Sequence, residues 1–232
     1  MNRWITLGLI LSAILAIAGA SLGGDALWVH YLFKPVATSL VWYSVWRAAL
    51  PVGAAYRTAI LRGLALSLCG DVCLMLPETL LPLGFELGLA SFLIAHLFFL
   101  RAFSRDVRLF GKWLPLLLLL LLSGVNLAVL WPAIGAALRM PVLAYMICLV
   151  GMTAQAASRA LSLGTRGSWL AALGALLFLV SDTTLAFNKF HAPLPASALL
   201  VLGSYYSALY LIARSVPADT AAVTVSASGA RY

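Results

Sequence analysis

The feature that most constrains this chain is a series of apolar blocks, each about as long as a bilayer is thick. Crossing a bilayer takes roughly 20 apolar residues in a helix. Candidate spans of near that length fall at Trp4–Leu22, Tyr31–Trp46, Thr58–Leu76, Leu83–Phe103, Trp113–Trp131, Ala136–Ala156, Ser168–Phe187 and Pro195–Arg214, separated by Pro, Gly or charge. Composition agrees: 63% of the 232 residues are hydrophobic and 9% charged, with a mean hydropathy of +1.03. The expected fold is all-α, a polytopic bundle of eight transmembrane helices forming one domain over residues 1–215. Residues 216–232, rich in Ala, Ser and Thr and without periodicity, are expected to be a disordered tail. Arg3 followed by an apolar run to Ile17 and Ala18-Gly19-Ala20 also fits a cleavable signal. The retained first helix is preferred, because the later spans already make the protein multispanning.

The net charge of +8 does not point to nucleic acid, because the bases are dispersed at helix ends rather than clustered on one face. Arg3, then Arg47, Arg57 and Arg62, then Arg101, Arg105, Arg108 and Lys112, then Arg159 and Arg166, and finally Arg214 occupy alternate connections. The positive-inside rule then puts both termini in the cytoplasm, and the pattern suits a bacterial inner membrane. Cys69, Cys73 and Cys148 lie inside apolar runs with no CxxC spacing. They read as small apolar residues, not as a disulfide framework or zinc site.

Against this background two carboxyls stand out. Gly70-Asp71-Val72-Cys73-Leu74 and Ser181-Asp182-Thr183-Thr184-Leu185 repeat the pattern G/S-D-x-x-L near the ends of two apolar runs, where a carboxyl is costly to keep. Asp71 lies six residues before Pro77 and Asp182 six before Asn188, so both sit about 9 Å inside the outer ends of parallel helices. They can therefore share a level across a cavity. The 111-residue spacing of the aspartates is nearly matched by that of Lys34-Pro35 and Arg139-Met140-Pro141, which suggests two four-helix pseudo-repeats with the site at their interface. The structural alternative for the aspartates is an interhelical ion pair, with Lys34 or Arg139 as partner. His96 lies on one stripe with Phe85, Phe92, Phe99 and Phe103, either as a packing histidine or as part of a site. Asn188 and Lys189 mark the outer mouth, and Tyr145 is a further polar residue within a span.

These residues also carry a resemblance. Gly-Asp-x-x-Leu in the third span, Phe85-x-x-Gly88-x-x-x-Phe92-x-x-Ala95-His96, Tyr145 and Met152, and Gly174-Ala175-x-x-Phe178-x-x-Ser181-Asp182-x-x-Leu185-Ala186-x-x-Lys189-Phe190 together resemble the YhhN/TMEM86 family, and Lys34-Pro35 fits it too. The likeness runs from about Leu32 to Ala213. It implies an eight-helix membrane protein and, from members with an assigned activity, a lysoplasmalogenase that hydrolyses the vinyl ether of lysoplasmalogens to a fatty aldehyde and a glycerophospho-base. The chain departs from the pattern at Phe98-Phe99, where tyrosine is common, and at Tyr205-Tyr206, where an Ala-Gln pair is expected.

The chemistry of that reaction suits two carboxyls. Vinyl ethers hydrolyse when carbon is protonated and water captures the resulting oxocarbenium ion. One neutral acid and one ionised carboxylate are needed, as in glycosidases, and a pair in a low-dielectric site supplies both. Asp71 and Asp182 are the catalytic candidates, in either order. Lys34, Arg139 and Lys189 are candidates for the phosphate of a lysophospholipid, choline- or ethanolamine-bearing. His96 is a candidate to tune an aspartate or place the water, and Tyr145 and Asn188 complete the substrate-binding set. No metal or cofactor is implied, because these groups do not compose a zinc set. The rival readings are a small proton-coupled lipid or metabolite transporter using the same aspartates, and a structural membrane protein without turnover.

Overall fold

The computed structural model describes residues 3–48 and 54–229. Those residues form eight α-helices: α1 (Arg3–Leu22), α2 (Leu27–Trp46), α3 (Ala54–Met75), α4 (Gly84–Phe103), α5 (Leu114–Leu130), α6 (Ala136–Leu163), α7 (Arg166–Phe190) and α8 (Ser197–Gly229). Short 3-10 turns at Gly24–Ala26 and Trp131–Ala133 complete the connections. Seven of the helices are long and apolar enough to cross a membrane, α5 together with the turn that follows it. The chain is an integral membrane protein.

The eighth, α2, has 20 residues, enough length for a span, but carries His30, Lys34, Pro35 and a high share of Trp and Tyr. It also starts at Leu27 rather than Tyr31, because the turn at Gly24–Ala26 leads straight into it. That brings His30 inside the helix. The apolar part of α8 ends at Val216, and the helix itself continues to Gly229.

α6, α7 and α8 outrun their expected ends. Arg159 reads as a charged terminus for α6, yet the helix continues to Leu163 and closes at Gly164, whose φ of 63° is the left-handed conformation that glycine tolerates. Arg159 stays inside because its guanidinium donates to both oxygens of Asp106, at 2.6 to 3.2 Å, and lies over the Tyr56 ring. The α4–α5 loop bearing Asp106 is also tied to α6 through Phe110 N–H to Gln155 Oε1 (2.7 Å) and Lys112 N–H to Ser158 Oγ (2.9 Å). Thr165 caps α7 by accepting from the Ser168 N–H.

The closest helix pairs are α1 with α2, α3 with α4 and α7 with α8, whereas α5 lies at the edge against α6 and exposes a row of leucines. At the centre, Phe178 of α7 is fully buried, its ring centroid 4.8 Å from His96, 5.5 Å from Tyr205 and 6.0 Å from Phe92. Edge-to-face packing of this kind adds about 0.5–1.5 kcal/mol per pair beyond area burial. It locks α4, α7 and α8 together beside the aspartates, since His96 lies 3.8 Å from Asp182 and Tyr205 donates to Asp71. Phe92 in turn lies against Gly70, where a Cβ would sit 2.6 Å from the ring, so α3 and α4 approach closely beside Asp71.

Candidate active site

Asp71 projects from α3 into a shell of donors and is 2% exposed. Thr38 Oγ1 and Tyr205 Oη both donate to Oδ2, at 2.6 and 2.7 Å, and the Lys34 ammonium stands 3.6 Å from Oδ1. Lys34 and Thr38 are one turn apart on α2, so one helix face delivers both. The interhelical pair with Lys34 is therefore formed, but Lys34 is one of three groups on the carboxylate rather than its sole partner. Thr38 is a residue that sequence reasoning missed, although its four-residue spacing from Lys34 is a usable signal. Tyr205 lies at a departure from the family pattern, and its hydroxyl is the contact that ties α8 to Asp71. The other departure is a packing pair: Phe99 is fully buried against Gly63, and Phe98 lies under the Arg62 guanidinium.

Asp182, on α7, is held differently. Tyr145 Oη donates to its Oδ2 at 2.5 Å, and His96 Nε2 lies 3.8 Å from the same oxygen, beyond hydrogen-bond range. Among the described residues Oδ1 has no hydrogen-bond partner. His96 is fully buried behind Asp182 between the rings of Tyr145 and Phe178, with neither ring nitrogen hydrogen-bonded.

Two cavities meet at this carboxyl. The first is mostly apolar, lined by Phe85, Leu127, Val142, Met146, Leu149 and Leu179 among others, with Tyr145 and Asp182 in its wall and Lys189 at the end of α7. The second, the more polar of the two, sets several polar and charged groups in a largely apolar wall, and its lining includes His30, Lys34, Asp71, Asp182, Asn188 and Tyr205. Leu74, Phe92, Asp182 and Leu185 belong to both. Asp71 and Asp182 thus line one cavity, and Asp182 also lines the more apolar cavity beside it.

The remaining candidates are spread around this pair. Asn188 lines the polar cavity while its Oδ1 accepts from Leu194 N–H (2.9 Å), holding the α7–α8 turn. Lys189 places its ammonium 5.1 Å from the centre of the Phe85 ring, at the apolar cavity. Arg139 lines neither cavity: it donates to the Ile134 carbonyl (3.2 Å) and stacks over Trp131. His30, not singled out in the sequence, lines the polar cavity, with its Nδ1 3.0 Å from the Ala16 carbonyl.

A profile of the YhhN family matches residues 29–216. Lysoplasmalogenase TMEM86B of Sus scrofa is 37% identical over 193 residues, 82% of this chain and 76% of the relative. Lysoplasmalogenase TMEM86A of Homo sapiens is 33% identical over 194 residues, covering 81% and 78%. The membrane protein YhhN of Escherichia coli O157:H7 is 27% identical over 213 residues, covering 92% and 98%. No solved structure matches the chain.

Proposed function

The chain belongs to the YhhN family, and on that premise we propose that it is a membrane-embedded hydrolase that cleaves the vinyl ether of lysoplasmalogens. The products are a fatty aldehyde and a glycerophospho-base. The observation that carries the reading is the pair Asp71 and Asp182 on one cavity that bears charged groups and adjoins a more apolar one. A single-chain ether lipid has the same two-part character. Its alkenyl chain suits the wall of Val142, Met146 and Leu149, and its phosphoglycerol suits the cavity bearing Lys34 and His30. The bond to be broken then lies at the junction, beside the two carboxyls. One protonates the alkenyl carbon, and the other stabilises the oxocarbenium ion and activates water.

The same reading includes α2 as an eighth span, which returns both termini to the cytoplasmic side of a bacterial inner membrane. Two four-helix halves are supported by a correspondence in donors. α2, bearing Pro35, supplies the Thr38 hydroxyl to Asp71, and α6, bearing Pro141, supplies the Tyr145 hydroxyl to Asp182.

The test is aldehyde release from choline and ethanolamine lysoplasmalogens by the purified protein in detergent. Release by the wild type, slowed about 10²–10⁴-fold in Asp71→Asn and Asp182→Asn proteins that keep their helicity and melting behaviour, is expected. Folded wild-type protein that releases no aldehyde but supports proton-dependent uptake into vesicles would replace the hydrolase with a carrier.

A further inference from the structure

Resting on the hydrolase reading, we propose that the two carboxyls have fixed and different tasks: Asp182 is the acid that protonates the alkenyl carbon, and Asp71 is the carboxylate that activates water. Thr38 and Tyr205 are positioning residues for Asp71, and Tyr145 is one for Asp182.

The first argument is the count of donors. Asp71 accepts two hydroxyl hydrogen bonds on Oδ2 and faces an ammonium at Oδ1. Hydrogen bonds to an ionised group are about twice as strong as neutral ones, and a neighbouring cation favours the same charged form. A proton on Asp71 would weaken all three of those interactions. Asp182 has one donor, on Oδ2, and among the described residues no Lys or Arg within ion-pair range; His96, 3.8 Å away, makes no hydrogen bond to it. A carboxylate only 12% exposed and so poorly partnered is costly, whereas the neutral acid can carry its proton on the open Oδ1.

The second argument is the order of atoms in the substrate. Along an alkenyl ether the sequence is chain, carbon to be protonated, carbon to be attacked by water, ether oxygen, glycerol. Along the protein the sequence is apolar cavity, junction at Asp182, polar cavity with Asp71, since Asp182 lines both cavities and Asp71 only the polar one. With the chain in the apolar cavity, the carbon next to the chain reaches Asp182 first. The carbon bound to oxygen lies on the Asp71 side. Both arguments select the same assignment from independent observations.

The steps balance. The Asp182 carboxyl gives its proton to the chain-side carbon as the C=C π pair forms the new C–H bond, leaving an oxocarbenium ion and an Asp182 carboxylate. Water adds to the carbon bound to oxygen and passes a proton to Asp71, giving a hemiacetal. The hemiacetal hydroxyl then returns a proton to Asp182 as the C–O bond breaks, and Asp71 protonates the departing glycerol oxygen. One water is consumed, aldehyde and alcohol form, and both carboxyls regain their starting states.

The assignment is read from the face on which a deuteron enters. In D₂O the wild type is expected to form the 2-deuterio aldehyde, trapped by reduction, as one enantiomer, because a fixed acid delivers from one side. Asp182→Asn should lose about 10²–10⁴-fold in rate, and its residual product should contain both enantiomers. Asp71→Asn should lose rate while its residual product keeps the wild-type enantiomer. Tyr205→Phe, which preserves the ring packing, should lose about 10–100-fold, for one charged hydrogen bond, and also keep it. This variant carries the test if Asp71→Asn does not fold. A single enantiomer from Asp182→Asn overturns the assignment. So does a mixture from the wild type, from folded Asp71→Asn or from Tyr205→Phe. Wild-type protein that forms no aldehyde at all refutes instead the hydrolase reading beneath it.

Discussion

Gly174 offers a severe test of how the site is assembled, because it sits where α7 meets α8 between the two helices that carry Asp182 and Tyr205. A Cβ at this position would lie 2.9 Å from the Ala208 carbonyl oxygen, 3.1 Å from Ile212 N and 2.8 Å from Ile212 Cγ1. Two of those atoms are backbone and cannot rotate away. The carbonyl contact falls half an ångström short of the 3.4 Å at which ordinary contact begins, so α8 must move by about that much. Moving α8 by 0.5 Å along the bond would stretch the 2.7 Å Tyr205–Asp71 hydrogen bond to about 3.2 Å, past the usual O–H···O range. Overpacking costs about 1–3 kcal/mol, and the helix propensity of alanine returns up to about 1 kcal/mol. At an unyielding contact the net loss in Gly174→Ala is about 2 kcal/mol, or about 4–8 °C in Tm for a chain of this size. Gly124 in α5, with nothing within 4 Å of its Cβ position, is the matched control, and Gly124→Ala should melt at or slightly above the wild type. Thermal unfolding in detergent followed by circular dichroism compares the three proteins. A Gly174→Ala protein that melts no lower than the wild type, with undiminished aldehyde release, would refute the claim that this approach positions the site.

Three further outcomes are expected. Thr38→Val keeps the shape of the side chain but removes the 2.6 Å donor to Asp71, and should lower the turnover number for aldehyde release about 10–100-fold with little change in the melt. Asp106→Asn withdraws the charge opposite buried Arg159. Because the Asp106 side chain is 42% exposed, the cost should be about 1–3 kcal/mol rather than that of a fully buried pair, read in the same thermal assay with activity per folded protein retained. Met146→Trp narrows the apolar cavity, and should reduce kcat/KM for long-chain lysoplasmalogens by about tenfold or more relative to short-chain ones in a chain-length series.

The helices were legible because their cause is local: bilayer-length apolar runs end at Pro, Gly or charge, and expected and observed ends differ mainly where tertiary contacts intervene. Arg159 is the clearest case, since a charge that reads as a helix end becomes an interior residue once Asp106 reaches it from a loop 53 positions earlier. The two aspartates were legible for the same reason that makes them interesting, their cost inside an apolar segment.

What surrounds them was not. Thr38, Tyr205 and Tyr145 reach the carboxyls across helix boundaries, at separations of 33, 134 and 37 residues. No periodicity records which face of one helix turns toward which face of another. The same holds for the candidate cations: spacing alone ranks Lys34 and Arg139 together, but packing puts one beside Asp71 and the other over Trp131. By itself the sequence determined an all-helical membrane chain with two carboxyls inside apolar segments, because apolar length is a property of single segments. Only the tertiary structure decided that the carboxyls share a cavity, that this cavity meets an apolar one at Asp182, and that Asp71 is the better-partnered of the two. Those facts depend on helix rotation and approach, which close packing at positions such as Gly70 and Gly174 sets and no single segment contains.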